Sequence, residues 1–423
     1  MNRRTLLKSG GTALLGLGLG GCRPAGPPRV SPVRPARPRL NLAPVRVSWD
    51  RVIRTTVGLR PHRDGGFVLR ADKLDDKVLV HNYGHGGAGM SLAWGCGTLV
   101  GDLAQPAGLR RVAVIGCGSP GLTTARQLQR RGYDVTIYAA TVPPDTTSNM
   151  SWAGYTPTSG LILPERRTPE WDAQFRAAAE VSYRQLQLMV GPRYGVYWID
   201  SYNATDDPNP RPGGGGDSDL VPEHLRTGRD REVLGPGEHP FPTRYAIRQS
   251  NLAIEPSIYL DALVQDFQAF GGRIVIERFE SRRDLAALPE PVIVNCTGLG
   301  SFSLFEDKEL VPVKGQLTFL VPQPEVNYRA SAQLPDDSNA SINPRRDGIV
   351  VGNSQERGVW SLEPNEEIRK RNVDNAIAFF SRMEPPAPGA RLTRSEAPRV
   401  APAVESFFDW GETAVAPRRS IAS

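Results

Sequence analysis

Cysteine and histidine are scarce in this chain: four cysteines and five histidines stand among 423 residues. Cys96, Cys117 and Cys296 lie far apart and match no zinc or dithiol spacing, so they read as small buried thiols, and no metal site is expected. Charge of one sign is not concentrated either. The net charge of +6 comes from arginine spread along the sequence, which leaves no basic stripe of the kind a nucleic acid needs. No repeat of solenoid length is present, and with 39% hydrophobic and 23% charged residues the composition is that of an ordinary globular protein, long enough for two domains sharing an interface.

What is present begins with "MNRRTLLKSGGTALLGLGLGGC", in which Arg3 and Arg4 precede an apolar run too short to span a membrane. Residues 1–22 resemble a twin-arginine export signal, which implies a periplasmic or other extracytoplasmic location. Leu19 to Cys22 resemble a lipoprotein cleavage box, with Cys22 the candidate for lipidation. That export route carries folded proteins, so a cofactor inserted before export is worth looking for. Residues 23–45, rich in proline and arginine, read as an extended tether, and residues 384–423 as a proline-rich tail. "TDDPNPRPGGGGDSDL", from Thr205 to Leu220, reads as a surface loop.

The chemistry begins at Arg111–Ile115, "RVAVI", a short apolar strand that runs into Gly116-Cys117-Gly118-Ser119-Pro120-Gly121. Leu122, Ala125 and Leu128 then share one helical face, Gly132 ends the helix, and a second strand "DVTIY" follows. Such a turn lets backbone approach a pyrophosphate at a helix N-terminus, so Gly116, Gly118, Ser119, Pro120 and Gly121 form a candidate dinucleotide site. The second strand ends in Tyr138-Ala139-Ala140-Thr141, where an acidic residue normally meets the adenosine ribose. Thr147 or Ser148 in "DTTSNMSWAG" is the expected substitute, and the missing acid disfavours NAD more than FAD. "PVIVNCTGLGS", an apolar strand stopping at a turn, brings Thr297 and Gly298 in as further cofactor candidates.

A second glycine turn stands just upstream, in "TTVGLRPHRDGGFVLRADKLDDKVLVHNYGHGGAGMSLAWGCG". Taken with the nucleotide fingerprint and "VIVNCTG", this stretch resembles the D-amino-acid oxidase family of FAD-dependent oxidoreductases, over most of the chain from about Trp49 to Met383. The resemblance extends to "SIYLDAL", "GQL" and "PRRDGIVVGN". It implies FAD as cofactor and an α/β fold, with a Rossmann-type FAD-binding domain beside a mixed β-sheet substrate domain. The order is not the family's: the portion that closes family members comes first here and is joined through Gln105 to Leu109 to the strand that opens them. That amounts to a circular permutation, which chain ends lying close together on one surface would allow. On this reading residues 46–104 are the family's C-terminal part. Residues 105–160 and 290–302 are the FAD-binding core, and 161–289 with 303–383 the substrate domain and connecting helices.

The resemblance also implies roles. Arg60 would pair bidentately with a substrate carboxylate, Arg63 being a structural charge. The turn Gly84, His85, Gly86, Gly87, Ala88 would close around the flavin, with Gly86 and Gly87 lining substrate amine and flavin edge. N–H groups of Gly89, Met90 and Ser91 would face the pyrimidine end of the ring. His85 reads as a packing and hydrogen-bonding residue, because hydride transfer from a neutral amine to flavin N5 needs no side-chain base. Where family members carry a substrate-contacting tyrosine, this chain has Ser341, the candidate for the substrate pocket. Three functions stay open. One is an oxidase of D-amino acids or related amines that uses oxygen, another a tethered dehydrogenase of another amine or hydroxy acid passing electrons to a quinone or carrier, and the third a non-catalytic flavin-binding lipoprotein.

Overall fold

The computed structural model describes residues 38–105, 108–207, 219–226 and 230–393. The expected export signal, Cys22, most of the tether, the centre of the glycine-rich loop and the tail from residue 394 lie outside them. In chain order the strands are β1 (Val52–Arg63), β2 (Val68–Leu74), β3 (Lys77–Tyr83), β4 (Arg111–Ile115), β5 (Asp134–Ala139), β6 (Val196–Thr205), β7 (Glu232–Leu234) and β8 (Tyr245–Ile254). There follow β9 (Arg273–Ile276), β10 (Val292–Asn295), β11 (Leu310–Leu320), β12 (Tyr328–Gln333), β13 (Asn339–Arg345), β14 (Gly348–Val351) and β15 (Glu356–Arg357). The helices are α1 (Gly89–Ala104), α2 (Ser119–Arg130), α3 (Pro169–Leu188), α4 (Pro256–Ala269), α5 (Arg282–Ala286), α6 (Ser301–Leu304) and α7 (Glu366–Phe380). None among the described residues is long and apolar enough to cross a membrane.

Among the described residues these strands form two sheets. One has the order β2-β3-β10-β4-β5-β9, all parallel except β2, which pairs antiparallel with β3. Its inner strands are near-continuous apolar runs because both faces are covered. On one face Val80, Val112, Val114, Val292 and Val294 meet the buried sides of α1, α2 and α4. On the other, Leu79, Ala113, Ile115 and Ile293 meet Leu285 and Leu288. The helical face expected at Leu122, Ala125 and Leu128 is fully buried; truncating Leu122 to alanine would cost roughly 2–5 kcal/mol. α1 is fastened by Trp94, whose indole N–H donates to Tyr259 Oη at 2.7 Å. It also lies tight on α3, since a Cβ at Gly95 would stand 2.0 Å from the Ala178 carbonyl oxygen.

The second sheet runs β1-β11-β14-β13-β12-β6-β8-β7, with β15 added to β11. β1 pairs with β11 along its length, Gly58 opposite Gly315 and Arg60 opposite Val313. Residues 46–104 contribute to both sheets: β1 edges the second while β2 and β3 belong to the first. β9, too, lies in the nucleotide sheet although residues 161–289 were expected in the substrate domain. The tether expectation needs a further correction at its end. Leu42, Ala43 and Val45 are core residues with Tyr202, Phe241 and Phe380, because "LNLAPV" carries enough apolar surface to be buried. Tyr328 Oη donates to the Ala43 carbonyl at 2.6 Å, and the start of the tail is held as well, Thr393 N donating to Asn41 O at 2.8 Å.

Candidate active site

Because β3, β10, β4 and β5 are parallel, their C-terminal ends come out at one edge of the sheet, and the glycine turns following β3, β10 and β4 gather there. Crevices at that edge are where open α/β sheets bind ligands. A cavity of about 400 Å³ opens at this edge, lined from Glu277 and Thr141 beside β5 and β9 to Gly84 and His85 after β3. Four strand spacings separate β9 from β3, about 19 Å. An elongated ligand is required to fill it.

The turn after β4 is built by close approach: a Cβ at Gly121 would lie 2.0 Å from the Gly116 carbonyl oxygen. Gly116 N donates to Tyr138 O at 2.7 Å, and Ser119 N donates to Ser148 Oγ at 2.9 Å, which ties the 146–151 loop over the start of α2. Gly116, Gly118, Pro120, Thr147 and Ser148 line the cavity; Ser119 and Gly121 do not, being buried beneath it as the turn's foundation. The turn after β10 brings in Thr297 and Gly298. Asn295 holds that turn: its Oδ1 accepts from Thr297 N at 3.1 Å and Thr297 Oγ1 at 2.8 Å, and its Nδ2 donates to Ser301 Oγ at 2.9 Å. Asn295 Nδ2 also faces His81 Nδ1 at 3.0 Å. Burial lowers the His81 pKa to about 4.

In the turn after β3, Gly86 has φ +53°, and a Cβ there would lie 2.0 Å from the Gly160 carbonyl oxygen, so only glycine fits. Gly86 N donates to Pro61 O at 2.9 Å and Gly87 N to Ser159 O at 3.0 Å. With those N–H groups used, the pair can offer a ligand only carbonyl oxygen. Gly84, His85, Gly86, Gly87, Gly89 and Met90 line the cavity. Ala88 and Ser91 do not, which corrects the expectation for both. Ala88 is the buried N-cap, its carbonyl accepting from Ser91 N at 2.9 Å, while Ser91 Oγ donates to Gly154 O and accepts from Thr156 N, fastening α1 to that segment. His85 stacks on Phe67, and burial lowers its pKa to about 4, so the imidazole is neutral near pH 7.

Arg60 lines the same cavity from β1. Its Nη1 donates to Ser354 O at 3.1 Å and its Nη2 to Asn353 Oδ1 at 2.8 Å, and among the described residues no carboxylate pairs with it. Burial holds its pKa below the ordinary arginine value. The guanidinium rests on Gly315, where a Cβ would come within 2.6 Å of Nη1 and Nη2. Arg63, by contrast, is spent on Asp307, Glu309 and the Gly66 carbonyl, a structural charge.

Ser341 is not brought to the cavity. It lies on β13, three strands from Arg60 on β1, about 14 Å at ordinary strand spacing. A long phenol could cover part of that span; a serine hydroxyl does not. Sequence reasoning missed Asn82 and Glu277. Asn82 is fully buried, its Nδ2 donating to Thr124 Oγ1 and its Oδ1 without a partner, and it also lines the cavity. Glu277 N donates to Ala139 O at 3.0 Å, which puts an exposed carboxylate residue beside the strand end that lacks its acid. Its only sequence signal is an acid just past the strand "RIVI". The cysteine reading holds for the three described thiols: all are free and buried, burial pushing Cys117 and Cys296 up to about 12.

The residues fit an extended dinucleotide: a turn that a single Cβ would fill, unpaired buried polar atoms at Asn82 Oδ1 and His85 Nε2, and a slot spanning five parallel strands. The profile of the FAD dependent oxidoreductase family matches residues 111–412, more than half of the chain. The chain belongs to that family. It is an FAD-dependent oxidoreductase with the family's α/β fold. It is similar to a D-amino-acid oxidase of Dictyostelium discoideum, 28% identical over 266 residues that cover 61% of this chain and 70% of the relative. A D-amino-acid oxidase of Rubrobacter xylanophilus is 26% identical over 326 residues, 71% of this chain and 90% of the relative. Among solved structures, glycine oxidase from Geobacillus kaustophilus superposes with a TM-score of 0.46 at 15% identity, covering 66% of this chain and 81% of that one.

Proposed function

We propose that this enzyme oxidises an amine-bearing carboxylate, most simply a D-amino acid to its imino acid, with oxygen as the final electron acceptor. The observation that carries the reading is Arg60: a guanidinium facing the cavity, with no carboxylate partner among the described residues and a fixed seat on Gly315. Such a group favours a carboxylate ligand held through two parallel N–H···O bonds. The Gly86 and Gly87 carbonyl oxygens can accept from the amine of the same ligand, so carboxylate and amine are held at two points and the Cα–H is oriented between them. His85, kept neutral by burial and stacked on Phe67, stays out of proton transfer. Gly116, Gly118, Pro120 and Thr297 would hold FAD, with Asn82 Oδ1 and His85 Nε2 meeting its polar edges. Bound FAD supplies the acceptor for the hydride leaving Cα. Both similar D-amino-acid oxidases support the substrate class.

Glu277 in this reading takes the ribose contact that Ala140 does not make, with Thr147 and Ser148 lining the same slot. The order of segments is read as a circular permutation, supported by the family match that begins at Arg111 and leaves out the residues carrying Arg60 and the second glycine turn. Export through a twin-arginine signal and lipid attachment at Cys22 rest on the N-terminal residues alone; mass spectrometry of the mature N-terminus tests both.

The test of the activity is an anaerobic titration of the yellow holoprotein with D-amino acids, which should bleach the flavin. The Arg60→Ala variant should keep FAD and lose bleaching by carboxylate substrates. A protein that takes up no FAD, or a variant that bleaches as fast as the parent, would contradict the reading.

A further inference from the structure

We infer that Asn353 is a positioning residue for Arg60, setting the direction in which the guanidinium faces the cavity and thereby the affinity for the substrate's carboxylate. The inference rests on the reading of Arg60 as the carboxylate clamp. Two acceptors hold Arg60, both from the segment that follows β14: the Ser354 carbonyl oxygen at 3.1 Å from Nη1 and the Asn353 Oδ1 at 2.8 Å from Nη2. A backbone carbonyl would be present whatever residue stood at 354, but the second acceptor exists only because residue 353 carries a side-chain oxygen.

The segment is itself braced. Ser354 Oγ accepts from Gln316 N at 2.9 Å. The Gln316 side chain then clasps Asn365, its Nε2 donating to Asn365 O at 2.9 Å and its Oε1 accepting from Asn365 N at 2.7 Å. Asn365 caps α7 and also donates from Nδ2 to Glu356 Oε2 at 3.0 Å. Gln316 on β11 thus ties down both ends of the stretch from Ser354 to Asn365, and Asn353 projects from a held backbone. With Gly315 beneath it and one bond on each terminal nitrogen, the guanidinium keeps a hydrogen on Nη1, one on Nη2 and the Nε–H for a ligand. The amide matters as much as the oxygen. An aspartate in its place would accept the same hydrogen bond and cancel the charge that a substrate carboxylate must meet.

The experiment uses FAD-loaded enzyme and two probes of one shape, propionate and its uncharged amide propionamide, titrated while the flavin absorption spectrum is followed. Asn353→Gly should weaken propionate by about tenfold, the loss expected of one charge-assisted hydrogen bond. Asn353→Asp should weaken it further, and neither should change propionamide binding. Asn353 is exposed, so both substitutions spare the core. Arg60→Ala is the control. If it loses propionate while both Asn353 variants bind it like the parent, the role given to Asn353 is overturned and that of Arg60 stands. If Arg60→Ala binds propionate unchanged, or the parent ignores propionate, the clamp itself falls. Equal losses of propionate and propionamide would mean a general distortion of the cavity, and would also overturn the inference.

Discussion

Gly315→Ala isolates how tightly the site fixes Arg60. A Cβ at residue 315 would lie 2.6 Å from Nη1 and Nη2 and 2.8 Å from Cζ, against ordinary contact beginning near 3.4 Å, a shortfall of about 0.8 Å (3.4 less 2.6). The backbone on both sides is held in the β1–β11 ladder, with Gly58 directly opposite, so the guanidinium and not the strand must yield. Lifting it by that distance cannot preserve bonds of 2.8 Å to Asn353 and 3.1 Å to Ser354 together. Loss of one hydrogen bond to a charged group is worth about 1.5–3 kcal/mol, which corresponds to roughly a 10- to 150-fold weaker hold on a carboxylate. The expected result is a half-saturating D-amino-acid concentration raised by that factor in anaerobic bleaching, with FAD retained because the pyrophosphate turn is untouched. An alanine variant that saturates at the parent's concentration would refute the geometry, since it would mean the guanidinium has room to move without consequence.

Glu277→Ala should weaken FAD by about tenfold or more while leaving the fold intact, read as the dissociation constant from flavin fluorescence on dilution; unchanged affinity would return the ribose contact to Thr147 or Ser148. Acidification should destabilise the protein before carboxylates titrate. His81 and His85 have folded pKa values near 4 against an ordinary 6.5, so below 6.5 the unfolded chain takes up protons that the folded one refuses. Stability is then greatest above pH 6.5 and falls by about 2 kcal/mol per histidine at pH 5, a drop in melting temperature that a flat profile over this range would exclude. A protease site placed between Gln105 and Arg110 should be cut without release of FAD, because the two halves remain joined by parallel pairing of β10 with both β3 and β4. Dissociation on cleavage would show that the link between α1 and β4 is a structural necessity.

What was legible in the sequence was what consecutive residues encode. Gly116 to Gly121, the helical face of Leu122, Ala125 and Leu128, and the strand of Val292 to Asn295 each carry their own signal, because strand, turn and helix start are built within a few residues of one another. Arg60 and Gly84 to Met90 were legible only through resemblance. What could not be read was what strand pairing brings together. Glu277 reaches the end of β5 through the β5–β9 ladder, and Asn353 reaches Arg60 across β11 and β14. Ser341 failed for the same reason in reverse: resemblance to a tyrosine-bearing segment gives its place on β13 but not its reach. The apolar run Leu40 to Val45 was misread because proline and arginine dominate the stretch before it, and a composition average hides a short buried segment.

On the permuted reading, the unusual order of the two glycine turns has a structural logic. Parallel strands can be joined only by a crossover long enough to return the chain, ordinarily a helix. β3 and β4 are parallel and separated in the sheet by β10 alone, and α1 already packs on α2 above them. Linking the end of α1 to the start of β4 therefore turns two neighbouring elements into a β3–α1–β4 crossover, a connection that such sheets form routinely. The paired backbone does not register which strand is first in sequence: Val292 meets Val78 on one side and Val112 on the other whichever end of the chain supplies them. Both glycine turns stay at the same sheet edge, so the cavity that requires them is preserved while the chain order changes. The residues before β1 are held by the burial of Leu42, Ala43 and Val45 against Tyr202, Tyr328 and Phe380, with Thr393 bonded to Asn41.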